Sequence, residues 1–251
     1  MTRPLPTKRD EAWRYANLAA LEPVWNDVAN VTEIVAVPAG ETLDRQIIIP
    51  PTTQGVSVTD LNVTIGKGGT FNLHLLNAAA DYGRIHVRVM LEEGAHFEMG
   101  GAILGKGEET LEIVTETIHA APNATSNQIV RTVLSERATG TFMGKVHVAR
   151  DAQKTDAAQS VKAMLLDRTA TANAKPELEI FADDVKCAHG ATVGELDKQA
   201  LFYMASRGLD PATAQRLMLQ AFIADSFVNV AENAARETIE NKALEVLEAL
   251  S

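Results

Sequence analysis

The sequence predicts a mainly β protein: a parallel β-helix core with a short N-terminal helical segment and a C-terminal helical domain. Three observations carry that expectation. From about Val31 to Ile180, apolar and polar residues alternate with period two, as in "VSVTDLNVTIGKGGTFNLHLL" and "RIHVRVMLEEGAHFEM". No helix-length apolar pattern interrupts these short strands, which argues against ordinary βαβ units and leaves a sandwich, a barrel or stacked rungs. A loose refrain favours rungs: Gly69-Thr70-Phe71, Gly94-Ala95-His96-Phe97, Gly140-Thr141-Phe142 and Gly190-Ala191-Thr192-Val193 each place a glycine at a turn just before an inward-pointing residue. The refrain has no fixed period, so a sandwich stays open.

The elements follow in order. Residues 8–22, "KRDEAWRYANLAALE", set Trp13, Leu18 and Leu21 at near-helical spacing behind acidic residues, which predicts a short amphipathic helix that docks or caps. After Leu196 the period becomes helical again. Leu201, Met204 and Ala205 share one face of a helix that Gly208 should end; Asp210 then supplies an N-cap, with Pro211 at the first helical position. Ala214, Leu217, Met218, Ala221 and Phe222 form the apolar stripe of the next helix, and Ile239, Leu244, Leu247 and Leu250 that of the last. Such a stripe is either core or a face for a partner. The expected division is 1–30 for the helical segment, 31–196 for the β-helix and 197–251 for the helical domain.

Composition narrows the function classes. The 251 residues are 46% hydrophobic and 22% charged, as in globular proteins, and no apolar run approaches the roughly 20 residues that span a bilayer. The start, "MTRPLPTKRDEAWRY", has basic residues without an apolar segment behind them, unlike a secretory signal. With a single cysteine, this favours a reducing cytoplasm as the expected location. A net charge of −10 argues against nucleic acid or anionic lipid as the main partner and favours a protein or a cation.

Most motifs of common chemistry fail. "GGAILGKGEET" sets Gly100, Gly105 and Lys106 almost as in a nucleotide-binding loop, but Gly107 replaces the hydroxyl that holds magnesium, and a strand-like "ETLEIVTETIHA" follows where a helix is required. His74, His86, His96, His119 and His147 are scattered through the strand region without ligand spacing and read as surface or interface polarity. There is no G-x-S-x-G elbow, H-E-x-x-H helix or C-x-x-C pair.

The stretch "FADDVKCAHGATVGEL" is different. In an extended segment, Cys187 and His189 project from one face while Ala188 points away. Cys187 can be an ordinary small hydrophobe, but thiolate and neutral imidazole also suit iron or zinc. Such a site normally takes more protein ligands, so this chain is two short.

The region "PELEIFADDVKCAHGATVGELDKQALFYMASRGLDPATAQRLMLQAF" closely resembles the signature of the SufB/SufD family of iron–sulfur cluster assembly proteins, and "EAWRYANL" resembles that family's amino-terminal motif. "KCAHGATVG" is most similar to the SufD branch. The resemblance implies a parallel β-helix followed by helices. It further implies pairing with SufB, docking of the C-terminal helices on the ATPase SufC, and ATP hydrolysis in SufC, this chain being a non-catalytic subunit. His189, with Cys187 beside it, is then the residue facing a SufB cysteine that carries the nascent cluster. Arg207, Asp210 and Arg216 are the expected docking residues for SufC. The isolated chain is expected to hold no cofactor of its own and to be capable of homodimerising. Set against that family, the chain is expected to be shorter than many SufD proteins and its amino-terminal helical portion to be reduced. The competing reading is a self-contained β-helix enzyme for a carbohydrate polymer, which would line a groove with convergent carboxylates.

Overall fold

A computed structural model describes residues 4–79, 81–229 and 233–250. Twelve strands follow one another: β1 (Glu33–Val37), β2 (Thr42–Ile49), β3 (Val56–Ile65), β4 (Thr70–Asn77), β5 (Tyr82–Leu91), β6 (His96–Gly105), β7 (Thr110–His119), β8 (Thr125–Leu134), β9 (Thr139–Val148), β10 (Asp156–Leu165), β11 (Thr171–Ile180) and β12 (Lys186–Gly194). Odd and even strands alternate between two six-stranded parallel sheets, in the orders β1-β3-β5-β7-β9-β11 and β12-β10-β8-β6-β4-β2. The fold is therefore a β-solenoid of about six turns, as the rung pattern predicts, and the sandwich is set aside.

Parallel, in-register pairing stacks side chains into columns. One inward column of the even sheet runs Phe71, Phe97, Ser126, Ala157, Cys187; its neighbour runs Leu73, Met99, Gln128, Gln159, His189. Phe71 and Phe97 stack with centroids 6.0 Å apart and are fully buried with Ile85, Val87, Ile113 and Val130. An aromatic pair of this kind adds about 0.5–1.5 kcal/mol to the burial itself.

The turns stack too. Gly40, Gly68, Gly94, Asn123 and Lys154 all have positive φ, and each N–H donates to a carbonyl of the next rung: Lys67, Glu93, Pro122, Gln153 and Asp184 respectively. Glycine takes this left-handed corner without a steric cost, and asparagine tolerates it better than most residues. Only half of the glycine refrain holds. Gly69 and Gly94 do precede buried Phe71 and Phe97, but Gly140 lies inside β9, and Gly190 lies inside β12, where Val193 is half exposed.

The N-terminal segment is not one helix. It breaks into α1 (Leu18–Leu21), capped by the Asn17 side chain on the Ala20 N–H, and α2 (Trp25–Val28), with 3-10 turns at Glu11–Trp13 and Glu22–Val24. Asn17 and Pro23 interrupt the pattern that spacing alone reads as continuous. The segment is pinned by a buried cluster. The Arg84 guanidinium lies 3.8 Å from the centroid of the Trp13 ring, donates to the Ala12 carbonyl (2.7 Å) and pairs with Glu112 (2.7 Å), which also accepts from the Tyr82 hydroxyl (2.6 Å). Burial first, then the Glu112 carboxylate, pushes the Tyr82 phenol far above its usual range, so it remains a donor.

The C-terminal helices are α3 (Lys198–Ser206), α4 (Pro211–Ala224) and α5 (Asn233–Glu248). Leu219, Ile223, Phe227, Ile239, Ala243 and Leu247 pack on Leu76, Ala102, Leu104 and Val133, which face outward from β4, β6 and β8. These strands are buried on both faces, which is why β6 loses its alternation. Contact is close at Gly100, where an added Cβ would collide with the Ser226 carbonyl oxygen. The buried face of α4 is centred on Ala214, Leu219 and Ile223, so the expected stripe is corrected: Leu217 and Ala221 are exposed. Residues 1–3 and 251 of the expected terminal divisions lie outside the described residues.

Candidate functional site on the last rung

Among the described residues, strand β12 forms the edge of its sheet and pairs with β10 alone. Its register sets Cys187, His189, Ala191 and Val193 against Ala157, Gln159, Val161 and Ala163, all buried inside the solenoid. The four β12 residues therefore continue the inward columns onto a rung that no further strand covers among the described residues. Cys187 is half-buried and packs with Val146, Val148, Ala157 and Ala182. His189 is exposed, and Ala188 lies on the other face of the strand, in register with Ala158.

The two groups differ chemically. Burial pushes the Cys187 thiol above its usual range and the Asp156 charge pushes it further, against an opposing hydrogen bond to the Ala157 backbone. Near neutrality the thiol therefore keeps its proton, while a neutral imidazole needs to lose nothing to coordinate. Among the described residues, no group of three or more His, Cys, Asp or Glu side chains is assembled to hold a metal ion. Two donors on an open rung are half of a tetrahedral set.

Ile180, Phe181 and Val193 are large apolar side chains exposed around this rung. The Phe181 ring lies 5.4 Å from the His147 ring, whose Nδ1 is 3.0 Å from Glu179 Oε2. Lys145 first, then His147, holds the Glu179 carboxyl below its usual range. Sequence reasoning passed over this rim, although Ile180 and Phe181 stand just ahead of the Cys187 stretch.

The expected docking residues are separate from the rung. Asp210 caps α4, accepting from the Thr213 N–H at 3.0 Å, and its carboxyl is held down chiefly by the Thr213 hydroxyl. The Arg207 guanidinium lies 5.2 Å from the Tyr203 ring centroid, and Arg216 is exposed. The more prominent feature is aromatic: Phe202 and Tyr203 on α3 are 77% and 59% exposed.

Other candidates resolve differently. His86 meets Asp60 at 2.7 Å, His96 meets Thr125 at 2.7 Å, and both are half-buried. His74 and His119 are buried, which corrects the surface half of their reading as surface or interface polarity: His74 lies under Phe227, where the C-terminal segment meets the solenoid, and His119 Nε2 meets Ser126 Oγ at 2.9 Å inside the solenoid. Gly100 to Gly105 are strand, and no helix follows Lys106, so there is no phosphate loop here. On the outer face of the odd sheet Glu116 pairs with Arg88 (3.4 Å) and Glu179 with Lys145 (2.6 Å), and Glu11, Glu116 and Glu177 line one cavity together with His86 and Lys145. No described helix is long and apolar enough to cross a membrane.

The fold is a two-sheet parallel β-solenoid whose last rung is open among the described residues. The family described as "SUF system FeS cluster assembly, SufBD core domain" matches residues 28–222, and the chain belongs to it. It is 42% identical over 100 residues to the iron–sulfur cluster assembly protein SufD of Escherichia coli, a stretch covering 40% of this chain and 24% of the relative. It is 36% identical over 160 residues to the chloroplastic protein ABCI7 of Arabidopsis thaliana (63% of this chain, 31% of the relative) and 27% identical over 136 residues to SufB of Bacillus subtilis (54% and 29%). The matched stretches thus span less than a third of these relatives.

Proposed function

We propose that this chain is a SufD-branch subunit that works with SufB-type and SufC-type chains in the cytoplasm and helps iron enter a nascent cluster at the SufB–SufD boundary. The observation that carries this reading is the open rung, where two neighbouring inward columns end in Cys187 and His189 on a strand that no further strand covers among the described residues. Iron and cluster are cargo here. His189 supplies a neutral base, the protonated Cys187 contributes less, and the partner chain supplies the remaining donors. The higher identity to SufD than to SufB favours that branch. In the same reading the segment 207–222 docks SufC and ATP hydrolysis belongs to SufC. Within that segment Arg216 is the clean probe, since Asp210 also holds the start of its helix. The divisions near residues 30 and 196 separate the pinned N-terminal segment, the rungs and the docking helices.

The test is co-expression with SufB and SufC chains, followed by size-exclusion chromatography and iron and sulfide analysis. His189→Ala should leave the complex and its melting temperature intact while lowering iron and cluster content by about tenfold or more. Cys187→Ser should have a milder effect. Normal cluster assembly by the His189→Ala complex would remove the site assignment.

A further inference from the structure

Gln159 is buried to 3% exposure, yet neither its Oε1 nor its Nε2 has a hydrogen-bond partner. An unpaired buried amide group costs about 1–3 kcal/mol, so what surrounds it decides where a partner could come from. One rung back in the same column, Gln128 is already committed: its Oε1 accepts from Thr115 Oγ1 (2.8 Å), and its Nε2 donates to Thr117 Oγ1 (3.1 Å). Across the interior stands Gly144, where a Cβ would lie 2.6 Å from Gln159 Nε2 and 2.5 Å from the Phe142 ring. Glycine there leaves the amide its space and offers no side-chain partner; the phenylalanine offers no polar atom. On the other side of Gln159 is the last rung, where the register sets His189 beside it. Paired strands lie about 4.8 Å apart, a gap that a glutamine side chain can bridge.

We propose that Gln159 is a positioning residue for the His189 site. This rests on the reading of His189 as a metal donor. A neutral imidazole has one N–H and one lone pair, and a metal-bound histidine almost always donates its N–H to an oxygen acceptor. The Gln159 amide oxygen is that acceptor when metal is held. It selects the tautomer and fixes the ring plane, and the Nε2–H remains to donate to an anionic ligand of the cargo. In the isolated chain the imidazole stands exposed and the amide unpaired; coordination and the partner's cover bring the two together.

The test uses the complex with the partner chains and compares wild type, Gln159→Leu and His189→Ala, with Co(II) titrated anaerobically. Replacing an unpaired buried amide by an apolar side chain should leave the melting temperature unchanged or raised. Co(II) affinity should nevertheless fall about 10–100-fold in Gln159→Leu. In the Zn(II)-loaded complex, the nitrogen-15 spectrum should show a His189 N–H proton protected from exchange in wild type and unprotected in Gln159→Leu. If Gln159→Leu binds Co(II) like wild type while His189→Ala loses binding, the inference fails and the His189 reading stands. If neither variant changes binding, both fail. A Gln159→Leu chain that loses affinity only together with thermal stability would make Gln159 a structural residue and overturn the proposal.

Discussion

In the middle rungs, the inward columns hold Phe71, Phe97, Leu73 and Met99, closed above and below by further rungs; in the last rung the same columns end in Cys187 and His189, which no further strand covers among the described residues. One repeat thus serves two ends. Where a rung has neighbours on both sides, most inward residues are apolar, and an inward polar group such as Gln128 is paired by its neighbours. Where the stack stops, the same geometry presents inward positions to whatever docks next, and polar donors become tolerable. The change is gradual along the stack: Met99 gives way to Gln128, then to Gln159, then to His189.

The largest expected effect tests the closed end of this comparison. Phe97→Ala removes a fully buried ring from between Phe71 and the facing strands and should cost about 3–5 kcal/mol. Val193→Ala, at an inward position of the last rung, should shift stability by less than about 0.5 kcal/mol. Chemical denaturation of the two variants checks both. Equal losses would mean that the last rung is as closed as the middle.

How far the sequence discloses this architecture depends on what each residue must do. Phe71 and Phe97 are legible because a left-handed glycine corner stands just ahead of each, at Gly68 and Gly94. The later corners are filled by Asn123 and Lys154, so the refrain fades although the turn persists, and Gly140 and Gly190 imitate it from inside strands. The α4 stripe is misplaced because Leu217, Met218, Leu219, Ala221, Phe222 and Ile223 surround much of the helix. Periodicity does not choose a face there; Leu76, Ala102 and Val133, distant in sequence, do. The shared face of Cys187 and His189 follows from strand alternation alone. Gln159 was invisible because its column depends on rung lengths that only the register reveals.

A second effect, about 3 kcal/mol, concerns pH in the closed interior. Burial drives the imidazole of His119 down to about 4, from an ordinary value of 6.5. Below pH 6.5 the unfolded chain takes up this proton and the folded chain does not, so stability is fully present above 6.5 and is lost as pH falls toward 4. Glu109 acts with the opposite sign: burial raises its carboxyl to about 6, so its contribution is lost as pH rises from 4.5 to 6. Urea denaturation from pH 7.5 to 4 should therefore show a flatter acid limb in His119→Gln than in wild type. An unchanged limb would locate the acid sensitivity elsewhere, for instance at His74, which burial also lowers.

The smallest effect sharpens the comparison within one column. Gln128 and Gln159 are adjacent rungs of identical chemistry, but the first amide is fully paired with Thr115 and Thr117 and the second is unpaired. Gln128→Leu strands two buried threonine hydroxyls and should cost about 1–3 kcal/mol. Gln159→Leu strands nothing and should cost nothing, because the group it removes has no partner in the folded chain. The difference between the two variants, read as denaturation midpoints at constant slope, measures how far the column has passed from structural polarity to polarity held ready for a ligand. Equal costs would mean that Gln159 is satisfied in solution by bound water, and the boundary between closed rungs and open rung would then move outward to His189 itself.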